Sequence, residues 1–226
     1  MSDLAAHGTD YAVVEEEPPE LLGRNLASAS HLLASATAFF LLAFLFAYFY
    51  LRSLNNAHMW RPKHTDPSLT LGTIVTALIL VGAIAIHIGL GHQRAARRSQ
   101  WRLMGAVALA CGIAAIVLQI VEWVTIGFGP SSGGYASVFM GWTAAQLFCV
   151  LGAVYWLETV LATAIRYRNV PHDDAPAGHA SGDPGRTGHD IANPLSLVRP
   201  GLEALAFFWW FLAGAAIVAW IVLYLI

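Results

Sequence analysis

Two polar side chains three residues apart, Gln119 and Glu122, interrupt an otherwise apolar run of the chain. On a helix that spacing puts both on one face, with Trp123 one step round. Their chemistry allows two readings: a proton-handling or partner-binding carboxylate, or a structural hydrogen bond between helices. The other polar groups inside apolar runs are His31, His87, Gln146, Glu158 and Glu203. A charged side chain costs about 2.5–3.5 kcal/mol at the centre of a membrane helix, so groups that persist there are expected to face other helices or a cavity. Following the chain back and forth through a bilayer puts His31, His87, Glu158 and Glu203 towards the same side, where they are expected to form one polar layer. Two membrane histidines at similar depth can also ligate a haem through their ring nitrogens, set against the commoner pair of structural histidines. His172, His179 and His189, beside Asp173, Asp174 and Asp190, have ligand-type side chains but no regular spacing, and read as solvated linker. No glycine-rich phosphate loop follows a strand, and no Ser or Cys nucleophile stands near a plausible base.

The elements that must position these groups follow from composition. Of 226 residues, 57% are hydrophobic and 12% are charged, about half the charged share of an ordinary soluble domain. That argues against a water-soluble enzyme. A net charge of −2 offers no basic field for nucleic acid. The two cysteines, Cys111 and Cys149, each lie in an apolar run and behave as small hydrophobes rather than as a disulfide or metal cage.

A hydrocarbon core roughly 30 Å thick needs about 20 apolar residues, and five stretches meet that length: Ser28–Leu51, Thr70–Leu90, Leu103–Ile126, Tyr135–Ile165 and Leu202–Leu225. They predict an all-α membrane protein, a bundle of five transmembrane helices over residues 28–226. Residues 1–27 read as an acidic cytoplasmic tail, its first 23 residues holding six acidic side chains and no Lys or Arg. Such a start does not resemble a signal peptide. Pro171–Asn193, rich in Gly, Pro, Asp and His, reads as a mobile cytoplasmic linker. With the N-terminus inside, nine basic residues (Arg24, Arg94, Arg97, Arg98, Arg102, Arg166, Arg168, Arg186, Arg199) fall on one side and three (Arg52, Arg61, Lys63) on the other. Because cytoplasmic loops carry the basic excess, the N-terminus is expected in the cytoplasm and the C-terminus outside. Small residues mark the expected packing faces: Gly105, Ala108 and Gly112, with Ala106, Ala110 and Ala115, and then Gly214, Ala215 and Ala216.

The order of helices and the identity of their polar residues resemble subunit III of the haem-copper oxidases. Leu33-Ala34-Ser35-Ala36-Thr37-Ala38-Phe39-Phe40, followed by Phe46–Tyr50, is similar to the family's Ser-Glu-x-x-Phe-Phe helix with its aromatic end. Trp60 and Pro62 resemble its Trp-Pro-Pro, and His87 falls where a histidine is common. Leu118-Gln119-Ile120-Val121-Glu122-Trp123 resembles its Leu-Gln-x-x-Glu-Tyr, the most specific match. Tyr135–Phe139, Thr143 and Val150-Leu151-Gly152 follow the family's order, as do Glu203-Ala204, Trp209 and Phe211 in the last helix. Several polar positions have been lost: Ala36 stands in place of the family's membrane Glu, Gln146 and Cys149 in place of two histidines, and Trp210 and Ala213 in place of a His and an Asp. Five helices rather than seven is a known bacterial form.

The resemblance implies an accessory subunit without cofactors of its own, in the plasma membrane of a bacterium. Its main contact would be oxidase subunit I, with subunit II, smaller subunits and lipids as neighbours. Haem and copper would belong to the catalytic partners, which take electrons from cytochrome c or quinol, reduce dioxygen and move protons. Gln119, Glu122, His87, Glu203, Gln146, Glu158 and His31 are then structural or proton-linked positions, with Gln119 and Glu122 bracing the bundle near its outer side. Two alternatives are an accessory subunit of a nitric oxide reductase system and a small haem-bearing electron carrier using His31 and His87. A transporter ranks last, because the chain shows no repeat or broken helix pair.

Overall fold

A computed structural model of the chain describes residues 19–54, 60–61, 66–166 and 198–226. Among these residues the protein is all-helical: α1 Pro19–Ser53, α2 Leu69–Arg94, α3 Arg98–Thr125, a short 3₁₀ turn Pro130–Ser132, α4 Gly134–Arg166 and α5 Val198–Trp220, which runs on into one π-helical turn, Ile221–Leu225. Five helices are long and apolar enough to cross a membrane. At 1.5 Å per residue even α2 reaches about 39 Å, more than the roughly 30 Å of hydrocarbon it has to cross.

Each expected span falls inside one helix to within a residue, the last counted together with its π-helical turn, and the helices extend beyond most of the expected ends. α1 begins at Pro19 rather than near Ser28, so the last part of the segment read as a tail is helical. Proline suits a first turn, where its missing N–H has no partner to lose. Between α2 and α3 only Ala95, Ala96 and Arg97 intervene, and the reversal forces Ala96 to a φ of 57°. That left-handed conformation is costly for a residue with a Cβ. The linker 171–193 and residues 1–18 of the tail lie outside the described residues.

α2, α3, α4 and α5 close a ring of four neighbours, and α1 lies against α4 and α5. α5 is the most enclosed helix, burying Leu202, Leu205, Phe208, Trp209, Leu212 and Ala213 along its length. Between membrane helices there is little hydrophobic driving force, so close approach has to come from small residues. Gly105, Ala108, Gly112 and Ala115 form the buried stripe of α3. A Cβ on Gly105 would stand 2.7 Å from Leu161 Cδ2, and one on Gly112 would stand 2.5 Å from Val154 Cγ2 and 3.1 Å from Trp209 Cη2. Ala106 and Ala110, grouped with that stripe by sequence, point outward, because the contact face is narrower than the run of small residues. Gly214 is likewise exposed, with nothing within 4 Å of where its Cβ would be.

Trp209 of α5 locks this arrangement. Its indole fits against Gly82 of α2 and Gly112 of α3, and its Nε1 donates to the Ile79 carbonyl at 3.2 Å. Replacing Gly112 by Ala is expected to cost about 1–3 kcal/mol through overpacking. Gly152→Ala, where nothing lies within 4 Å of the new Cβ, should leave stability unchanged or raise it slightly. Thermal unfolding of the two variants in detergent compares them directly.

Candidate functional site

Glu122 has 0% of its surface exposed, although it lies near the C-terminal end of α3. Gln119, one turn before it on the same face, donates from Nε2 to Glu122 Oε2 at 2.9 Å. The second donor comes from across the bundle: Tyr224 Oη lies 2.9 Å from both carboxyl oxygens. Tyr224 sits in the π-helical turn that ends α5, where an extra residue per turn changes the direction of the side chains. Its ring also occupies the place that a side chain at Gly72 of α2 would fill. One tyrosine thereby joins α2, α3 and α5 around a single carboxyl group.

Most neighbouring polar groups also bond within the bundle. Trp123 Nε1 donates to Thr143 Oγ1 at 3.0 Å, and that hydroxyl donates to the Phe139 carbonyl at 2.7 Å. Gln146 Nε2 donates to the Leu212 carbonyl at 3.2 Å, tying α4 to α5. Tyr135 Oη donates to the Leu223 carbonyl at 2.6 Å, satisfying one of the carbonyls that a helix leaves unpaired at its C-terminal end. Tyr48, Trp60 and Tyr135 stack edge to face beside it. Arg61 lies 4.5 Å above the Tyr135 ring and pairs with Asp66 at 2.8 Å. Next to Glu122, a polar pocket of about 200 Å³ is lined by Asp66, Ser68, Thr125, Gly127 and Phe128 as well as Glu122 itself.

No family model matches the chain, and no curated protein matches its sequence. The site therefore has to be read from its own geometry. That geometry supports two chemical capacities: joining helices through a shared carboxyl group, and presenting a carboxyl group to a polar pocket.

The remaining candidate residues do not form one connected layer. His31 and His87 both face outward. His31 stacks on Phe207 with ring centroids 4.1 Å apart and makes a 2.6 Å hydrogen bond from Nδ1 to the Ala27 carbonyl. His87 meets Trp210 edge to face at 6.3 Å. Glu158 is exposed on α4. Glu203 is half-exposed and pairs with Arg94 at 3.1 Å and with Arg199 at 3.4 Å. The expectation of a common layer rested on depth along each helix, and depth leaves the direction around the helix open. Among the described residues no three of His, Cys, Asp or Glu stand close enough together to hold a metal, and His172, His179 and His189 lie outside those residues.

Tyr224, Thr143 and Trp209 belong to the polar framework; Thr143 and Trp209 are marked in the sequence only through the resemblance, and Tyr224 is not marked by it at all. The only signal for Tyr224 is a phenol in an apolar segment. Tyr224→Phe removes both bonds to the carboxyl group and should cost about 1–3 kcal/mol, the penalty for stripping a partner from a buried polar group. Glu122→Gln keeps an acceptor for Tyr224 and should cost less. Thermal unfolding of the three proteins in one detergent gives the ranking.

Proposed function

We propose that the chain is an accessory, cofactor-free subunit III of a haem-copper terminal oxidase. The reading carries the resemblance forward: catalysis lies in partner subunits holding haem and copper, and this chain contributes stability and, through its polar groups, influence on proton uptake. By the distribution of basic residues, its N-terminus faces the cytoplasm of a bacterial cell and its C-terminus faces outward.

The observation that carries the reading is an exposed face formed by α1, α5 and α2. Along it stand His31, Phe207, Trp210 and His87, paired as two ring contacts on successive turns of α5. Beside it, α1 and α5 border an apolar cleft of about 390 Å³ lined by Leu41, Leu42, Trp142, Trp210, Gly214 and Ala215, among others. Trp142 is 2% exposed, and its Nε1 has no hydrogen-bond partner among the described residues. Imidazoles are poorly served by lipid, which offers no partners in its hydrocarbon region. Helices of another membrane protein would cover them and supply acceptors. A subunit whose interior polar groups brace its own bundle, while its two outward-facing histidines sit together on one face, fits a role within a larger complex.

A tag on this chain should recover subunit I of an oxidase from native membranes, visible as a haem spectrum in the purified sample and as co-purifying subunits. Gly214 has nothing within 4 Å of where its Cβ would be, so Gly214→Trp can begin without a clash and fill the cleft against its own apolar lining; it should lower recovery of the partner without lowering the chain's own melting temperature. Recovery of the chain alone overturns the accessory reading, and recovery of a nitric oxide reductase subunit instead overturns the oxidase assignment.

A further inference from the structure

Two further cavities lie deeper in the bundle than the polar pocket at Glu122. A cavity of about 30 Å³ lies between α2, α3, α4 and α5, lined by Thr76, Gln119, Thr143, Gln146 and Tyr224 together with apolar residues. A second, of about 10 Å³, lies against Gln119, Gln146 and Val150. Gln119 and Gln146 border both, and Tyr224 stands between the larger cavity and the Glu122 carboxyl group.

Gln146 makes the chemistry specific. It is 8% exposed, its Nε2 is committed to the Leu212 carbonyl, and its Oε1 is fully enclosed with no donor among the described residues. An enclosed amide oxygen without a donor carries the full desolvation penalty of its missing hydrogen bond. A water molecule needs two to four polar partners and roughly 10–15 Å³ of accessible space, and the larger cavity meets both requirements. Dry cavities are apolar, and this one is lined by two amides, two threonine hydroxyls and a phenol.

We propose that Gln119, Thr143 and Gln146 hold one or two internal waters, which donate to Gln146 Oε1 and extend the Glu122 pocket to the middle of the bundle as a one-sided hydrated recess. Gln146 is twelve residues into α4, about 18 Å along its axis and so near mid-membrane. Beyond Val150 the interior closes with Ala153, Leu157, Leu161, Leu202 and Leu205, all buried. The recess therefore opens towards the end that carries Asp66 and Ser68 and stops short of the other. The ligand is water.

Radiolytic hydroxyl-radical footprinting of the intact protein in lipid nanodiscs tests this, because radicals formed from a bound water label the side chains beside it. Ile79 borders both cavities and is 2% exposed, whereas Leu157 and Leu212 are 0% exposed and border neither. Ile79 should be labelled several-fold faster than those two leucines. Gln146→Met, which replaces the amide by an apolar side chain of similar length, should bring Ile79 down to the level of the leucines. Equal protection of Ile79, Leu157 and Leu212 in the wild-type protein overturns the proposal without recourse to any variant. Unchanged labelling in a folded Gln146→Met protein overturns the assignment to Gln146.

Discussion

A carboxyl group shut inside a membrane bundle has to be bonded by the protein, because hydrocarbon provides no substitute for water. Glu122 meets this constraint with an amide from its own helix and a phenol from α5. The consequences spread outward. Tyr224 can reach the carboxyl group only because the end of α5 widens into a π-helical turn and because residue 72 of α2 has no side chain. The same turn leaves the Leu223 carbonyl for Tyr135, whose ring joins the aromatic cluster formed with Tyr48 and Trp60. One buried acid thereby sets the geometry of an entire end of the molecule.

The remainder of the bundle is held by shape more than by polarity. Individual hydrogen bonds between membrane helices average about 0.6 kcal/mol, so the polar groups specify register while close packing supplies most of the cohesion. Trp209 shows the two combined, its ring filling space left by Gly82 and Gly112 and its N–H held by Ile79. At the opposite end from Glu122, the Glu203 pairs with Arg94 and Arg199 are partly exposed, where ion pairs contribute little. The two ends differ accordingly: one is a satisfied buried network, the other a solvated charge cluster.

Much of the site was legible before the fold was known. Gln119 and Glu122 are joined by helical periodicity, a local relation, and the structure bonds them to each other. Tyr224 lies 102 positions from Glu122, and no local rule connects the two. The expected layer of His31, His87, Glu158 and Glu203 failed to appear as a network for a related reason. Position along a span can be counted from the chain, but the direction a side chain takes around its helix is set by what that helix packs against.

The sequence by itself determined that five helices form, about where each lies, and that a few polar groups remain within them. It could do so because these properties depend on runs of apolar residues and on a 3.6-residue repeat. Only the tertiary structure decided which polar groups look inward, that Gln146 keeps an unsatisfied oxygen beside a cavity, and that the two histidines stand on one outer face with Phe207 and Trp210. Those outcomes follow from the rotation of each helix about its axis, and that rotation is fixed by glycine gaps and aromatic wedges contributed by helices distant in the chain.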